Sequence, residues 1–401
     1  MGEREARVLC PLVRHRHLGM AHGIGRSGDV AAEQPKAAGS SLILALTTRL
    51  AADALREAGL VEVADVVVLP AATGVALMLT FLALRARRPA TANVVIWSRI
   101  DQKTCIKAIL SAGFDVRVVS PILVGDQLET DVDGMARAVV DAGGPDQVIC
   151  AVTTTSCFAP RGCDDVESVA KLCRHIGIAH VINHAYGVQS AWLCAEVTRA
   201  ARRGVVSACV QSTDKNFLVP VGGALIADFK GDDGGTVGGV RSLYPGRAAM
   251  TPVLDLCQTL LYLGRDGWAR IREERMEVFG YLRDALRKLA ERTGQKLLET
   301  PRNPISVAFT LNGFDDGKTA TQLGSRLFVR LVSGARVVAP KTQTVGNVTL
   351  TGFGAHHDAY PHTYITAAAG LGATRKDVDL FVARLEKELL QPRTSTTNET
   401  S

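Results

Sequence analysis

No stretch of this 401-residue chain approaches the ~20 uninterrupted apolar residues that a membrane-spanning helix needs, and the greasiest region, 66–84, is broken by Pro70, Thr73 and Gly74. A membrane span is not expected. The chain opens Met-Gly-Glu-Arg-Glu-Ala-Arg with no apolar segment behind it, so no secretory signal is read, and Ala6 stands where a myristoylation signal wants Ser or Thr. The nine cysteines are odd in number and never fall as CxxC, which speaks against a disulfide framework or a zinc ribbon. A reducing, cytoplasmic compartment is the expectation. No HExxH spacing occurs among the nine histidines, and the adjacent pair His356 and His357 face different ways on either a helix or a strand, which suits solvated or capping roles better than metal binding. No internal repeat is found.

What is present is a chain able to bury a large core. Hydrophobic residues are 47%, charged residues 21% and mean hydropathy is +0.12, too apolar and too weakly charged for disorder. The net charge of +6 comes with clusters at Arg85, Arg87, Arg88 and at Arg199, Arg202, Arg203. Such clusters suit an anionic partner such as RNA, and equally a solvated basic face.

Apolar runs at 61–69, 93–97, 115–119, 148–153 and 179–183 alternate with helical patterns such as 43–58 and 71–84. This strand-helix-strand order predicts an α/β fold: a mostly parallel sheet with helices on both faces. Short strands at 205–210 and 223–227 flank the segment 211–222. A long amphipathic helix is expected from Trp268 to Leu289, leading to a smaller α+β unit with strands at 305–311 and 348–352 and a closing helix around Val378–Leu389. The polar tail 392–401 is expected to be disordered.

Three elements carry chemistry in combination. Lys215 follows an apolar strand, lies among small hydroxyl residues and precedes Pro220, Gly222 and Gly223. Partial desolvation there would favour the neutral amine that forms a Schiff base. Upstream, Ala71-Ala72-Thr73-Gly74 lies between a strand and a helix, where free N–H groups and a hydroxyl can hold a phosphate. Between them, Asn183-His184-Ala185-Tyr186 ends another strand. Phosphate cup, ring-nitrogen partner and lysine in that order suggest pyridoxal phosphate on an aminotransferase-like fold. A neutral amide at 183, where a carboxylate would ordinarily pair with the ring nitrogen, predicts a weaker electron sink, suited to elimination over transamination.

Gly23-Ile-Gly25-Arg26-Ser27-Gly28 matches GxGxxG, yet it follows Arg14-His15-Arg16-His17 instead of an apolar strand, so a dinucleotide site is rejected. With Gln34 and Lys36 behind it, the loop is better suited to gripping an anion. Ser212-Thr-Asp-Lys215 fits the SxxK of serine acyl enzymes, but the companion SDN and KTG elements are missing.

The segments HGIGRSGDVAAEQPKAAGSS (22–41), RIDQKTC (99–105), TTSCFAPR (154–161), AYGVQS (185–190), QSTDKNFLVPVGGA (211–224), YPGRA (244–248) and SGARVV (333–338) together resemble the O-phosphoseryl-tRNA(Sec) selenium transferase family, over residues 2–390. The resemblance implies a fold-type I enzyme in which the residue matching Lys215 carries pyridoxal 5'-phosphate, with Ala72, Thr73, Gly74, Gln102, Lys103 and Asn183 around the cofactor. It implies that Arg26, Ser27, Gln34 and Lys36, with Arg4 and Arg247, clamp the substrate's phosphate, and that Arg336 contacts the acceptor end of the tRNA. The implied reaction converts phosphoseryl-tRNA(Sec) to selenocysteinyl-tRNA(Sec) by loss of phosphate, through a dehydroalanyl intermediate, and addition of selenium from selenophosphate, in a homotetramer.

On this resemblance 1–42 would hold the phosphate-binding loop, 43–265 the cofactor domain and 266–391 the linking helix and small domain. Three departures from the family's pattern stand out. The helical N-terminal segment that supports assembly and tRNA docking is not represented, so weaker assembly is expected. The stretch 231–239 is glycine-rich where a helix belongs, and 339–346 is short. The residues alone also admit another pyridoxal-phosphate sulfur or selenium transferase, or a noncatalytic tRNA-binding relic.

Overall fold

Seven segments rich in Val, Ile and Ala lie side by side in a computed structural model that describes residues 8–231, 235–314 and 316–390. Their spatial order is Val63–Leu69, Ala224–Phe229, Ala208–Ser212, Ala179–Asn183, Val148–Thr154, Val94–Ser98 and Asp115–Val119. Only Ala224–Phe229 runs against its neighbours; the other six point the same way. Val148–Thr154, Ala208–Ser212 and Ala224–Phe229 are buried along their whole length. Strands covered on both faces have no solvated side to alternate with, which is why they read as continuous apolar runs. Because the parallel strands share a direction, the turns that follow them, including 71–74, 99–103, 155–158, 184–187 and 213–217, gather at one edge of the sheet, the usual place for a ligand in such folds.

The strands at 115–119 and 179–183 fall where the pattern puts them. The strand expected at 205–210 sits at Ala208–Ser212. The long helix begins earlier than its amphipathic pattern, at Thr251 with Pro252 in its first turn, and runs to Arg292 with a break at Gly264 (φ 60°, ψ −173°). Its second part carries Val278, Leu282, Leu286 and Leu289 into a separate apolar core. That core is built with a three-stranded antiparallel sheet (Ser306–Thr310, Tyr364–Ala368, Ala335–Val338) and the helices Gly317–Val329 and Arg375–Leu389.

Two expectations need correction. The glycine-rich stretch does become helical, at Thr236–Leu243, with the Asp228 carboxylate accepting the Val237 N–H at 3.0 Å. A Cβ at Gly239 would stand 3.1 Å from that of Ala83, so the glycine serves close packing on the helix Thr73–Arg85. The segment 348–352 does not join the small sheet; Val348–Leu350 pairs with Gln343–Val345 in a hairpin turned at Gly346. Arg4 and the tail 392–401 lie outside the described residues, as does part of the glycine-rich stretch.

Candidate active site

Lys215 is presented by a short turn of helix, Thr213–Phe217, that starts where the buried strand Ala208–Ser212 ends. The turn is pinned on three sides. Asn216 donates its amide to the carbonyls of Ala185 (2.9 Å) and Ser212 (2.8 Å), Phe217 stacks on Trp268 at 4.9 Å, and Gln189 donates to the Lys215 carbonyl at 2.8 Å. The ammonium itself donates to Asp214 at 3.1 Å and to the Ser212 hydroxyl at 3.4 Å. Its side chain is 46% exposed, so the expected desolvation is not found; this amine is placed by a carboxylate partner and an open cleft.

The cleft holds about 490 Å³ and lies between the two cores. Gln102, Thr104, Phe158, Tyr186, Gln189 and Asp214 line it from the large sheet's edge, and Ile305 with 368–371 from the small unit. Gln102 donates to the Tyr186 hydroxyl at 3.0 Å, and the Tyr186 ring lies 6.0 Å from that of Phe158. Burial raises the Tyr186 phenol well above its ordinary range, so it stays neutral.

Ala72 caps the helix Thr73–Arg85, and the N–H groups of Val75 and Ala76 already return to its carbonyl, at 2.9 and 3.1 Å. Those of Thr73 and Gly74 stand at the helix's open, electropositive end. The Thr73 hydroxyl is buried without a partner among the described residues, as is that of Thr213. A Cβ at Gly74 would come within 3.0 Å of Thr104, so glycine lets two helix starts meet here. Asn183 is buried, accepts the Ala185 N–H at 3.2 Å, and donates its amide to no described residue. Beside it His184 is held between the Thr155 hydroxyl (2.6 Å) and the Cys194 thiol (3.7 Å), with burial pushing its pKa down to about 3; it is a neutral support. Lys103 opens the next helix, its amine 5.8 Å from the centre of the Phe353 ring.

The loop expected to grip an anion forms a separate surface. Arg26 and Ser27 stand exposed at a turn closed by hydrogen bonds between Arg26 and Asp29, and Gln34 caps the turn that carries exposed Lys36. The glycines of GxGxxG serve this loop's own folding. A Cβ at Gly23 would fall 2.3 Å from the Ala248 carbonyl oxygen and one at Gly25 2.4 Å from that of Val30, both at positive φ. Ile24 and Ala248 bond to each other through both backbone groups, which brings Arg247, resting on the His22 ring, beside the loop. None of these anion-loop residues lines the Lys215 cleft. Arg336 lies half-buried on the strand Ala335–Val338, close enough to act electrostatically on Tyr186 and Tyr364.

Sequence reasoning passed over Asp214 and Gln189, and gave Tyr186 no role of its own within the element 183–186; adjacency to Lys215 and the strand-end position of 184–189 were the available signals. It also passed over a fully buried pair, Arg161 and Asp164 (2.5 Å). His356 is not solvated: it is 1% exposed and accepts the Asp101 N–H at 2.7 Å, while His357 does cap, accepting the Ala359 N–H. All nine cysteines are free and eight are buried, Cys157 among them with its thiol raised to about 12 by burial.

A mostly parallel seven-stranded sheet, a lysine on the turn after one strand and a helix N-terminus across the same edge define the pyridoxal-phosphate-dependent transferase fold of type I. Rice TDC, whose crystal structure holds pyridoxal phosphate and tryptamine, shares this fold at TM-score 0.63 and 15% identity, over 88% of this chain and 76% of that one. The family model for O-phosphoseryl-tRNA(Sec) selenium transferase matches residues 1–390. The curated selenium transferase of Dictyostelium discoideum is 40% identical over 96% of this chain and 84% of its own length; that of Methanopyrus kandleri is 36% identical over 97% and 85%. An archaeal member's crystal structure superposes with TM-score 0.84 at 30% identity, covering 96% of this chain and 84% of that one. The chain belongs to the O-phosphoseryl-tRNA(Sec) selenium transferase family.

Proposed function

We propose that this chain converts O-phosphoseryl-tRNA(Sec) to selenocysteinyl-tRNA(Sec) with selenophosphate as donor, using pyridoxal 5'-phosphate attached to Lys215. The observation that carries the reading is the arrangement at the sheet edge: a cleft-facing lysine, a helix start with an orphaned buried Thr73 hydroxyl, and an Asn183 amide with no described acceptor. Those groups fit the cofactor. A phosphoryl group would take the Thr73 hydroxyl and the N–H groups of Thr73 and Gly74. Asn183 would donate its amide to the ring nitrogen, while Gln102 and Lys103 border the same edge.

When bound, the cofactor supplies the electron sink that lets the Cα–H and Cβ–O bonds of the phosphoseryl ester break. The amine of Lys215, freed as the substrate's own amine takes its place, takes the Cα proton and the phosphate leaves with the Cβ–O electron pair; the selenium of selenophosphate then adds at Cβ, Lys215 returns a proton to Cα, and water cleaves the P–Se bond with release of a second phosphate. Asp214 holds the lysine in reach between these transfers. Tyr186 and Phe158 form an apolar wall against the reacting carbons.

A phosphomonoester dianion needs several fixed cations, which Arg26, Lys36 and Arg247 with Ser27 and Gln34 would supply, aided by Arg4; unphosphorylated serine leaves them unfilled and is rejected. In one chain this clamp stands apart from the cleft, so the reading includes a homo-oligomer in which copies complete each other's sites, a tetramer by the family resemblance. Leu218 and Val221, just beyond Lys215, are 53% and 77% exposed and suit cover by a second copy. Arg336 reads as the contact for the tRNA acceptor end.

The test is an absorbance spectrum with added pyridoxal phosphate, for wild type and Lys215→Ala, before and after borohydride, followed by phosphate release from phosphoseryl-tRNA(Sec). A visible band that reduction fixes to Lys215, with phosphate released only by the wild type, is the expected result. No band in the wild type, or release of phosphate by Lys215→Ala, overturns the reading.

A further inference from the structure

The segment 351–358 is neither helix nor strand, yet it is fastened at both ends and in the middle by one buried ion pair. Arg99 and Asp101, 1% and 3% exposed, follow directly on the strand Val94–Ser98. Asp101 accepts from Arg99 at 2.9 and 3.2 Å, from the Gly354 N–H at 2.6 Å and from the His356 N–H at 3.1 Å, and its own N–H donates to His356 Nδ1. Arg99 reaches on to the Thr351 carbonyl (2.5 Å) and the Asp358 carboxylate (2.8 Å). A buried carboxylate with this many donors holds its partners in one geometry, since each N–H released from it would be left unpaired in a dry interior.

The strap so held touches two candidate site residues. Phe353 lies under the amine of Lys103, and a Cβ at Gly354 would fall 2.9 Å from Arg336 Nη2. Arg336 itself has no hydrogen-bond or ion-pair partner among the described residues. A half-buried guanidinium without a counter-charge is an anion receptor, and its aim here is set by the strap backbone beneath it. Asp101 is also the residue before Gln102, whose amide enters the Lys215 cleft.

We propose that Asp101 is a positioning residue: through the strap 351–358 it fixes Arg336 to receive the acceptor end of the substrate RNA. The inference rests on the reading of Arg336 given above. Holding a cation in place before the substrate arrives strengthens binding without touching the bond-breaking steps, so its loss shows in KM and not in kcat.

The experiment uses the cofactor-loaded enzyme and the variants Asp101→Asn, Arg336→Ala and the double variant. It measures kcat and KM for phosphate release, affinity for deacylated tRNA(Sec), and the cofactor spectrum. Asp101→Asn is expected to raise KM and weaken tRNA binding by about tenfold, with kcat within about threefold and the spectrum unchanged. Arg336→Ala should do the same, and the double variant should be no worse than either. Additive losses, or a fall in kcat at constant KM, overturn the proposal. If Asp101→Asn does not fold, Asp358→Asn at the exposed end of the strap should raise KM by about threefold in the wild-type background and not at all beside Arg336→Ala; no rise overturns it. A wild type that binds tRNA(Sec) without releasing phosphate counts against the proposed reaction and leaves the strap to be judged on affinity. A wild type that binds no tRNA(Sec) overturns the strap's role.

Discussion

Asn183 shows how much one atom decides. Its oxygen is used within the chain, by the Ala185 N–H, which leaves the amide nitrogen as the group turned to any ligand. An amide N–H can donate to a neutral ring nitrogen, whereas a carboxylate would stabilise a protonated one, so in the proposed site Asn183 would keep the cofactor a weaker electron sink. Asn183→Asp is expected to change the absorbance spectrum of the bound cofactor and to divert part of the product from elimination towards transamination. An unchanged spectrum and product ratio would refute this. Lys215 and Asn183 could be placed at the sheet edge from the pattern, since one follows an apolar strand and the other ends one, whereas Gln102 came only with the family resemblance. Asp101 was not legible: its partners Gly354 and His356 lie more than 250 positions away, and the pairing depends on how the small unit docks. Asp214 was hidden in plain view, since adjacency in sequence does not say which side chains turn towards each other.

Among the elements, the parallel strands were the most legible because burial on both faces leaves an uninterrupted apolar run, as at 148–154. Elements held by polar contacts were harder to read. The helix Thr236–Leu243 forms in a glycine-rich stretch because Asp228 caps it and Gly239 packs tightly, neither of which periodicity records. The ends of two strands and the residue Thr130 are joined by Asp164, which accepts from Ser98, Thr130, the Thr154 N–H and Arg161. Both Arg161 and Asp164 side chains are wholly buried. Arg161→Ala strands that carboxylate without its counter-charge and should cost about 3–5 kcal/mol, read from the denaturant midpoint. Replacing both members by apolar residues of similar size should cost less than Arg161→Ala alone; a larger loss would mean that the hydrogen bonds, and not the charge, dominate. Gly187 tests packing in the same region. An added Cβ there would meet the His184 ring at 2.2 Å, so Gly187→Ala is expected to lose about 1–3 kcal/mol by overpacking.

At the scale of the whole molecule the large sheet and the strap packed on its edge share an acid-sensitive interior. His180, His184 and His356 are buried, and burial lowers their pKa values to about 4, 3 and 3. Val205 and Asp164 favour the charged form of His180, and Asp101 that of His356, while Arg336, Arg161 and Arg99 oppose it at His356. In each case desolvation is the larger effect. An unfolded histidine takes its proton near pH 6.5, so between there and pH 4 the unfolded chain binds protons that the native chain refuses. The stability these histidines contribute is therefore fully present above about pH 6.5 and is lost as pH falls from there towards 3–4. Each can withdraw up to about 1.4 kcal/mol for every pH unit below 6.5, so the three together can withdraw about 4 kcal/mol per pH unit, against a total stability of about 5–15 kcal/mol for a typical protein. Acid unfolding should thus begin well above the pKa range of ordinary carboxylates. The urea midpoint is expected to stay level from pH 8 to 7 and to fall steeply between pH 6 and 4.5, and His184→Gln should make that fall shallower by about a third. A midpoint that stays flat down to pH 5 would show that these imidazoles are solvated or charged in the native chain, contrary to the closed packing around the strand Ala179–Asn183 and the strap.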